Sequence, residues 1–179
     1  MLLTSHEPRV DRIELQPVRY QFGSVRGDYY DDNWLIITGA VATEAGRWSF
    51  TEPALLVDEA RKLARWLRRA AGGWVPVSEP AADGELSPDL HFLEPLVAFS
   101  LADRAGDRLV LRVHLSLEAA PPWQPDDDGD EIHQFAIEIP CDAAALTAAA
   151  DAWSAELAAF PAQGLPPPNL PEPAAFPPR

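Results

Sequence analysis

From Leu111 to Glu118 the chain alternates apolar and polar side chains. Leu111, Val113, Leu115 and Leu117 share one parity with Leu109, while Arg112, His114, Ser116 and Glu118 share the other. Successive strand side chains point to opposite faces, so this run predicts a strand with the leucine set inward and the polar set outward. A lone strand buries nothing stable; it requires partner strands and a second layer.

Partners are legible on either side. Ile13 and Leu15 alternate with polar residues, the phase slips at Pro17, and Val18, Tyr20 and Phe22 resume it. Proline cannot donate to a ladder, so this predicts a bulged or edge strand. Trp34 to Thr43 is apolar on both parities, the pattern of a central strand covered on both faces. Glu44-Ala45-Gly46 then turns the chain into a short strand, Arg47 to Phe50, making a hairpin. Leu96 to Leu101 pairs with the Leu109–Glu118 strand through Asp103–Asp107, and Ile132 to Ile139 is a further strand that Pro140 ends. There His133, Phe135, Ile137 and Ile139 share a parity. Gly23–Asn33 and Trp74–Asp89 read as loops.

Two stretches of 3.6-residue period supply the second layer. Leu56, Ala60, Leu63, Leu67 and Ala70, with Trp66, mark a helix over Asp58–Ala71 that Gly72-Gly73 stops. Asp142 is the N-cap of an alanine-rich helix to about Ala159, with Leu146, Ala150, Trp153, Leu157 and Phe160 buried. From Pro161 onward 8 of 19 residues are proline, which predicts an extended tail. The expected architecture is α+β: one domain over residues 1–160, with a single antiparallel sheet of about six strands and two packed helices. A proline-rich tail over 161–179 follows it.

Charge narrows the function classes. The chain holds 28 acidic and 14 basic side chains, a net charge of −14. Such an excess argues against gripping DNA or RNA, which takes Lys and Arg on phosphate. The charge is also segregated. The first 112 residues hold 13 basic and 17 acidic groups, five of the basic ones being Arg61, Lys62, Arg65, Arg68 and Arg69. Val113 to Pro178 has no Lys or Arg, yet carries 11 acids, among them Asp126, Asp127, Asp128, Asp130 and Glu131. Segregation of this kind points to an electrostatic preference for a partner. With Cys141 the only cysteine, no intramolecular disulfide forms. The N-terminus lacks a signal-peptide pattern and no apolar run approaches the ~20 residues of a membrane span. The expected compartment is the cytoplasm, with no membrane contact, and a monomer is the default state.

Enzymatic signatures fail in turn. There is no glycine-rich phosphate loop and no serine nucleophile elbow. His6, His91, His114, His133 and Cys141 make no pair at zinc-ligand spacing. Placing Gly129 at the glycine of an EF-hand loop puts Phe135 at the closing carboxylate position, so that motif fails too. Nothing singles out a pair among the 28 acids for glycoside hydrolysis. No catalytic residue, metal or cofactor is assigned. Trp34, Trp48, Trp66 and Trp153 fall on apolar stripes and read as core, whereas Trp74 and Trp123 lie in loops and suit interface anchors.

A string of short motifs is more specific. Tyr30-Asp31-Asp32-Asn33-Trp34-Leu35, Gly46-Arg47-Trp48-Ser49-Phe50 and Leu63-Ala64-Arg65-Trp66-Leu67 come first. Phe92-Leu93-Glu94-Pro95-Leu96-Val97-Ala98-Phe99, Leu111-Arg112-Val113 and Glu118-Ala119-Ala120-Pro121-Pro122-Trp123 with its acidic loop follow. In this order, over about Ile13 to Phe160, the chain resembles the WapI family of bacterial immunity proteins. The resemblance implies a non-catalytic inhibitor of a contact-dependent or Rhs-like polymorphic toxin, whose C-terminal toxin domain is the cognate partner. In the founding case that domain attacks tRNA.

An acidic protein can fill a nuclease's phosphate cleft, so the candidate toxin-binding residues are Asp126, Asp127, Asp128, Asp130 and Glu131, with Trp123 as apolar anchor. Asp28, Tyr29 and Asp31 form a second candidate patch, while Tyr30 and Asp32 are expected to pin the entry to the Trp34 strand. A non-catalytic ligand- or glycan-binding module using Trp74 or Trp123 is the alternative from a different class.

Overall fold

The computed structural model describes residues 1–5, 11–124 and 132–164. Ile13, Leu15 and Pro17 point inward from strand β2 (Arg12–Tyr20), and its pairing with β3 (Trp34–Thr43) slips between Pro17 and Arg19, the bulge that the phase change predicts. A three-residue strand β1 (Leu2–Thr4), which the periodicity does not reveal, lines the first part of β2. Strand β4 (Gly46–Leu56) completes the hairpin with β3 and is far longer than the predicted Arg47–Phe50 segment, crossing Pro53 as an outer strand. Gly39 on β3 is fixed by packing: a Cβ there would stand 2.1 Å from the Phe50 ring.

Strand β4 runs without a linker into helix α2 (Val57–Ala71). Its stripe of Val57, Ala60, Leu63, Trp66, Leu67 and Ala70 is buried, and Gly73 at φ 82° ends it in the left-handed conformation that favours glycine. Helix α3 (Ala143–Leu157) begins at Asp142, whose carboxylate accepts the Ala145 N–H at 2.7 Å. Its buried Trp153 donates its indole N–H to the Ala60 carbonyl of α2 at 2.8 Å, locking helix to helix.

The expectation of a single sheet is corrected. The strands form two antiparallel sheets, one of four strands in the order β1-β2-β3-β4 and one of three, β5 (Val97–Ala105), β6 (Arg108–Leu115) and β7 (Ala136–Asp142). The edges explain the split. Pro53 on β4 and Pro140 on β7 lack a donor, β1 is three residues long, and β5 is bridged on its outer side by Leu90. No continuous edge is left for the sheets to join. Both contribute to one connected apolar core with α2 and α3.

Other boundaries also moved. Strand β7 starts at Ala136 and continues through Pro140, so His133 and Phe135 precede it. The Gly23–Asn33 stretch contains a five-residue helix, α1 (Tyr29–Asn33). The second parity of β6 is not solvent-facing: Arg112, His114 and Ser116 are buried, while Leu117 has left the strand and is 51% exposed. Residues 72–96 lie over that face of the second sheet. Arg112 donates to the Ser78 carbonyl at 3.0 Å and to Glu138 at 2.9 Å, and Gln134 bonds both the N–H and the carbonyl of Leu86. Among the described residues no helix is long and apolar enough to cross a membrane.

Candidate partner-binding surface

Asp28, Tyr29 and Asp31 gather around α1. Asp28 is its N-cap, accepting the N–H groups of Tyr30 at 2.9 Å and Asp31 at 3.1 Å. The Tyr29 hydroxyl donates to Asp58 at the start of α2. Burial, and then the bond and charge of Asp58, push the Tyr29 phenol up to about 12, so it stays neutral. Asp32 is buried and accepts from the Arg26 and Gly27 N–H groups at 2.5 and 2.9 Å, pinning the approach to β3. Asp31 stands 3.8 Å from Arg26 and keeps an open side.

Asn33, fully buried, donates to the carbonyls of Tyr29 and Gln163 at 2.7 and 2.8 Å and accepts the Gln163 N–H at 2.9 Å. With Tyr20 donating to the Pro161 carbonyl at 2.5 Å, the first residues of the proline-rich segment are anchored here. Much of this patch's polar chemistry is therefore spent holding α1, α2 and residues 161–163 together.

Trp123 lies at the far end of the first sheet. Its ring meets Trp48 edge to face at a centroid distance of 5.3 Å and remains 48% exposed. Trp48 in turn touches Phe135 and donates its indole N–H to the Ala119 carbonyl at 2.9 Å. The Trp123 ring occupies the space beside Gly46, where a Cβ would stand 2.6 Å from it and would have to displace the ring. Asp126, Asp127, Asp128, Asp130 and Glu131 lie outside the described residues. Strand β3 separates the two candidate patches: its Trp34 end carries α1, its Thr43 end the Gly46–Trp123 contact. Ten residues at about 3.3 Å each put roughly 30 Å between them, so α1 and Trp123 do not form one surface.

Sequence reasoning missed Gly46, Trp48 and Leu117 as parts of the Trp123 end. The apolar alternation runs on through Leu117 and carries no signal of this: β6 ends at Leu115 and a short 3-10 turn over Leu117–Ala119 takes Leu117 out of the inward parity.

The buried polar groups of the second sheet resemble catalytic parts and are built otherwise. His114 Nδ1–H donates to the His133 carbonyl at 2.6 Å, leaving Nε2 to accept the Ser100 hydroxyl at 2.8 Å. Burial lowers His114 to about 4, so it is neutral, and both it and Ser100 are fully buried away from any substrate. Cys141 is a buried thiol that desolvation raises to about 11, an unreactive state. Among the described residues no group of three or more His, Cys, Asp or Glu is placed to hold a metal ion.

Two shallow grooves of about 590 and 330 Å³ run along the α2–α3 seam, lined by alanines and by Arg61, Arg65 and Arg68, with no aromatic side chain. Trp74, the loop tryptophan of the ligand-binding alternative, is 67% exposed at the end of α2 and lines neither groove.

In comparison with known protein families, the model of the immunity protein WapI-like family fits residues 3–161. No curated protein and no solved structure matches the chain.

Proposed function

The chain belongs to the WapI-like immunity protein family, and from that premise we propose that it binds and neutralises a polymorphic toxin, a nuclease, without catalysis of its own. The contact runs through the acid-rich segment Asp126–Glu131 with Trp123 as its apolar anchor. The observation that supports this most is the setting of Trp123. A half-exposed indole, held by Trp48 and Gly46, stands where the chain enters the acid-rich segment. A nuclease needs a basic cleft for phosphate, and complementary charge raises association rates by ~10–10³. Trp is enriched among the residues that dominate binding energy. The reading places the inhibitor in the cytoplasm, where the toxin would act.

The test is co-expression with the C-terminal toxin domain encoded beside this chain's gene. Rescue of growth, with a complex that dissociates as salt rises, is the expected result. Failure to rescue, with no complex at low salt, contradicts the reading for that pair. The ligand-binding alternative draws less support: the described surface grooves are shallow and carry no aromatic platform.

A further inference from the structure

Among the described residues two non-glycines hold a positive φ, Leu117 at 53° and His133 at 71°. Left-handed backbone is unfavourable for a residue with a Cβ and persists where surrounding contacts impose it. Here those contacts tie the two segments together. The His133 N–H donates to Ser116 Oγ at 2.8 Å, and the Leu115 N–H donates to the Phe135 carbonyl at 2.9 Å. Leu117 and Ile132 each lie one residue beyond the Ser116–His133 link, and both are exposed. The turn that carries Leu117 is bonded to β4 through Trp48 and Ala119, and Trp48 carries Trp123. Three large apolar side chains thus emerge from segments cross-linked to one another, at the two ends of the acid-rich segment.

We propose that Leu117, Trp123 and Ile132 form an apolar docking patch for the toxin domain, with Gly46, Trp48 and Ser116 as positioning residues. This rests on the immunity reading and adds to it a part that salt does not screen. The occupant follows from charge complementarity. The patch brackets Asp126–Glu131 in sequence, so a basic surface drawn by those carboxylates arrives at the apolar side chains beside them. An apolar centre with a charged rim is the common anatomy of protein interfaces. Rim charge sets the rate of encounter, whereas the apolar anchors set the rate of escape. The turn that holds Leu117 at positive φ leaves its side chain half exposed.

The test measures association and dissociation rates of the full chain with the neighbouring gene's toxin domain at low and high salt. Trp123→Ala is expected to dissociate about 30-fold faster, and Leu117→Ser and Ile132→Ser about tenfold faster, with association and its salt dependence unchanged. Gly46→Ala forces the Trp123 ring aside and is expected to act in the same direction. Leu117→Gly separates recognition from structure: it relieves the backbone, so Tm rises by a few degrees while dissociation still quickens. Wild-type dissociation from Trp123→Ala or from Leu117→Gly overturns the patch and leaves the immunity reading standing. No binding by the unaltered chain overturns the immunity reading for that toxin, and the patch with it.

Discussion

The two sheets are made of strands with similar alternation, yet they treat their polar faces in opposite ways. On the first sheet Glu14, Gln16, Ala40, Ser49 and Thr51 meet solvent while Ile13, Leu15, Ile37, Val41 and Phe50 meet the core. On the second, Ser100, Arg112, His114 and Ser116 are as buried as the leucines opposite them. The difference lies in what those groups bond: Arg112 holds the Ser78 carbonyl of the aperiodic 72–96 stretch, while Ser100 bonds His114 and both His114 and Ser116 bond the His133 backbone. Polar strand residues mark a solvent face only where nothing covers it; here each is satisfied by a specific bond to a neighbouring segment or to another buried side chain.

The sharpest break of that comparison is Arg112. Arg112→Ala removes the bonds to Ser78 and Glu138 from a buried site and is expected to cost about 3 kcal/mol in chemical denaturation. A cost below about 0.5 kcal/mol would make the second sheet's polar face equivalent to a surface.

His114 tests the same face by pH. Its folded value of about 4 lies below the ordinary 6.5, so the unfolded chain takes up a proton that the folded chain refuses. The stabilisation is complete above pH 6.5 and is lost as pH falls towards 4, on the order of 3 kcal/mol in all. The difference between the stability–pH curves of the unaltered chain and His114→Gln should show this slope. Parallel curves would mean that His114 is not held neutral.

Gln134→Ala loses both bonds to Leu86 and is expected to cost about 1 kcal/mol. Hydrogen exchange should speed at Leu86 and its neighbours and stay unchanged in β2 and β3; uniform acceleration would contradict local anchoring. Smallest of all is Thr38→Ala on the first sheet, where only a hydroxyl contact to Thr51 at 3.1 Å is lost. Its effect on Tm should correspond to less than about 0.5 kcal/mol.

This contrast also marks what was legible in the chain. The two long helices were, because Leu63, Leu67 and Ala70, and Leu146, Ala150 and Trp153, repeat at the helical period and end at Gly72-Gly73 or begin at Asp142, whereas the five-residue α1 was not. The bulge at Pro17 and the full extent of β3 were legible for the same local reason. The division into two sheets was not, since it depends on which edges meet, a long-range matter decided by Pro53, Pro140 and Leu90. Burial of His114 and the hold of Asn33 on Gln163 depend on partners 19 and 130 residues away. For the candidate site, the sequence singled out Trp123 as an anchor but gave no measure of the distance to Asp28, Tyr29 and Asp31. The length of β3 supplies it.

The most direct test of the central proposal compares those two ends as binding surfaces. Affinity of the full chain for the neighbouring gene's toxin domain is measured across a salt series for two variants. One carries Asp126→Asn, Asp127→Asn, Asp128→Asn, Asp130→Asn and Glu131→Gln; the other carries Asp28→Asn and Asp31→Asn, with asparagine still able to cap α1. The first variant is expected to bind at least about tenfold more weakly at low salt, with a flattened salt dependence, and the second to bind like the unaltered chain. Unaltered affinity and salt slope in the first variant would contradict the proposal.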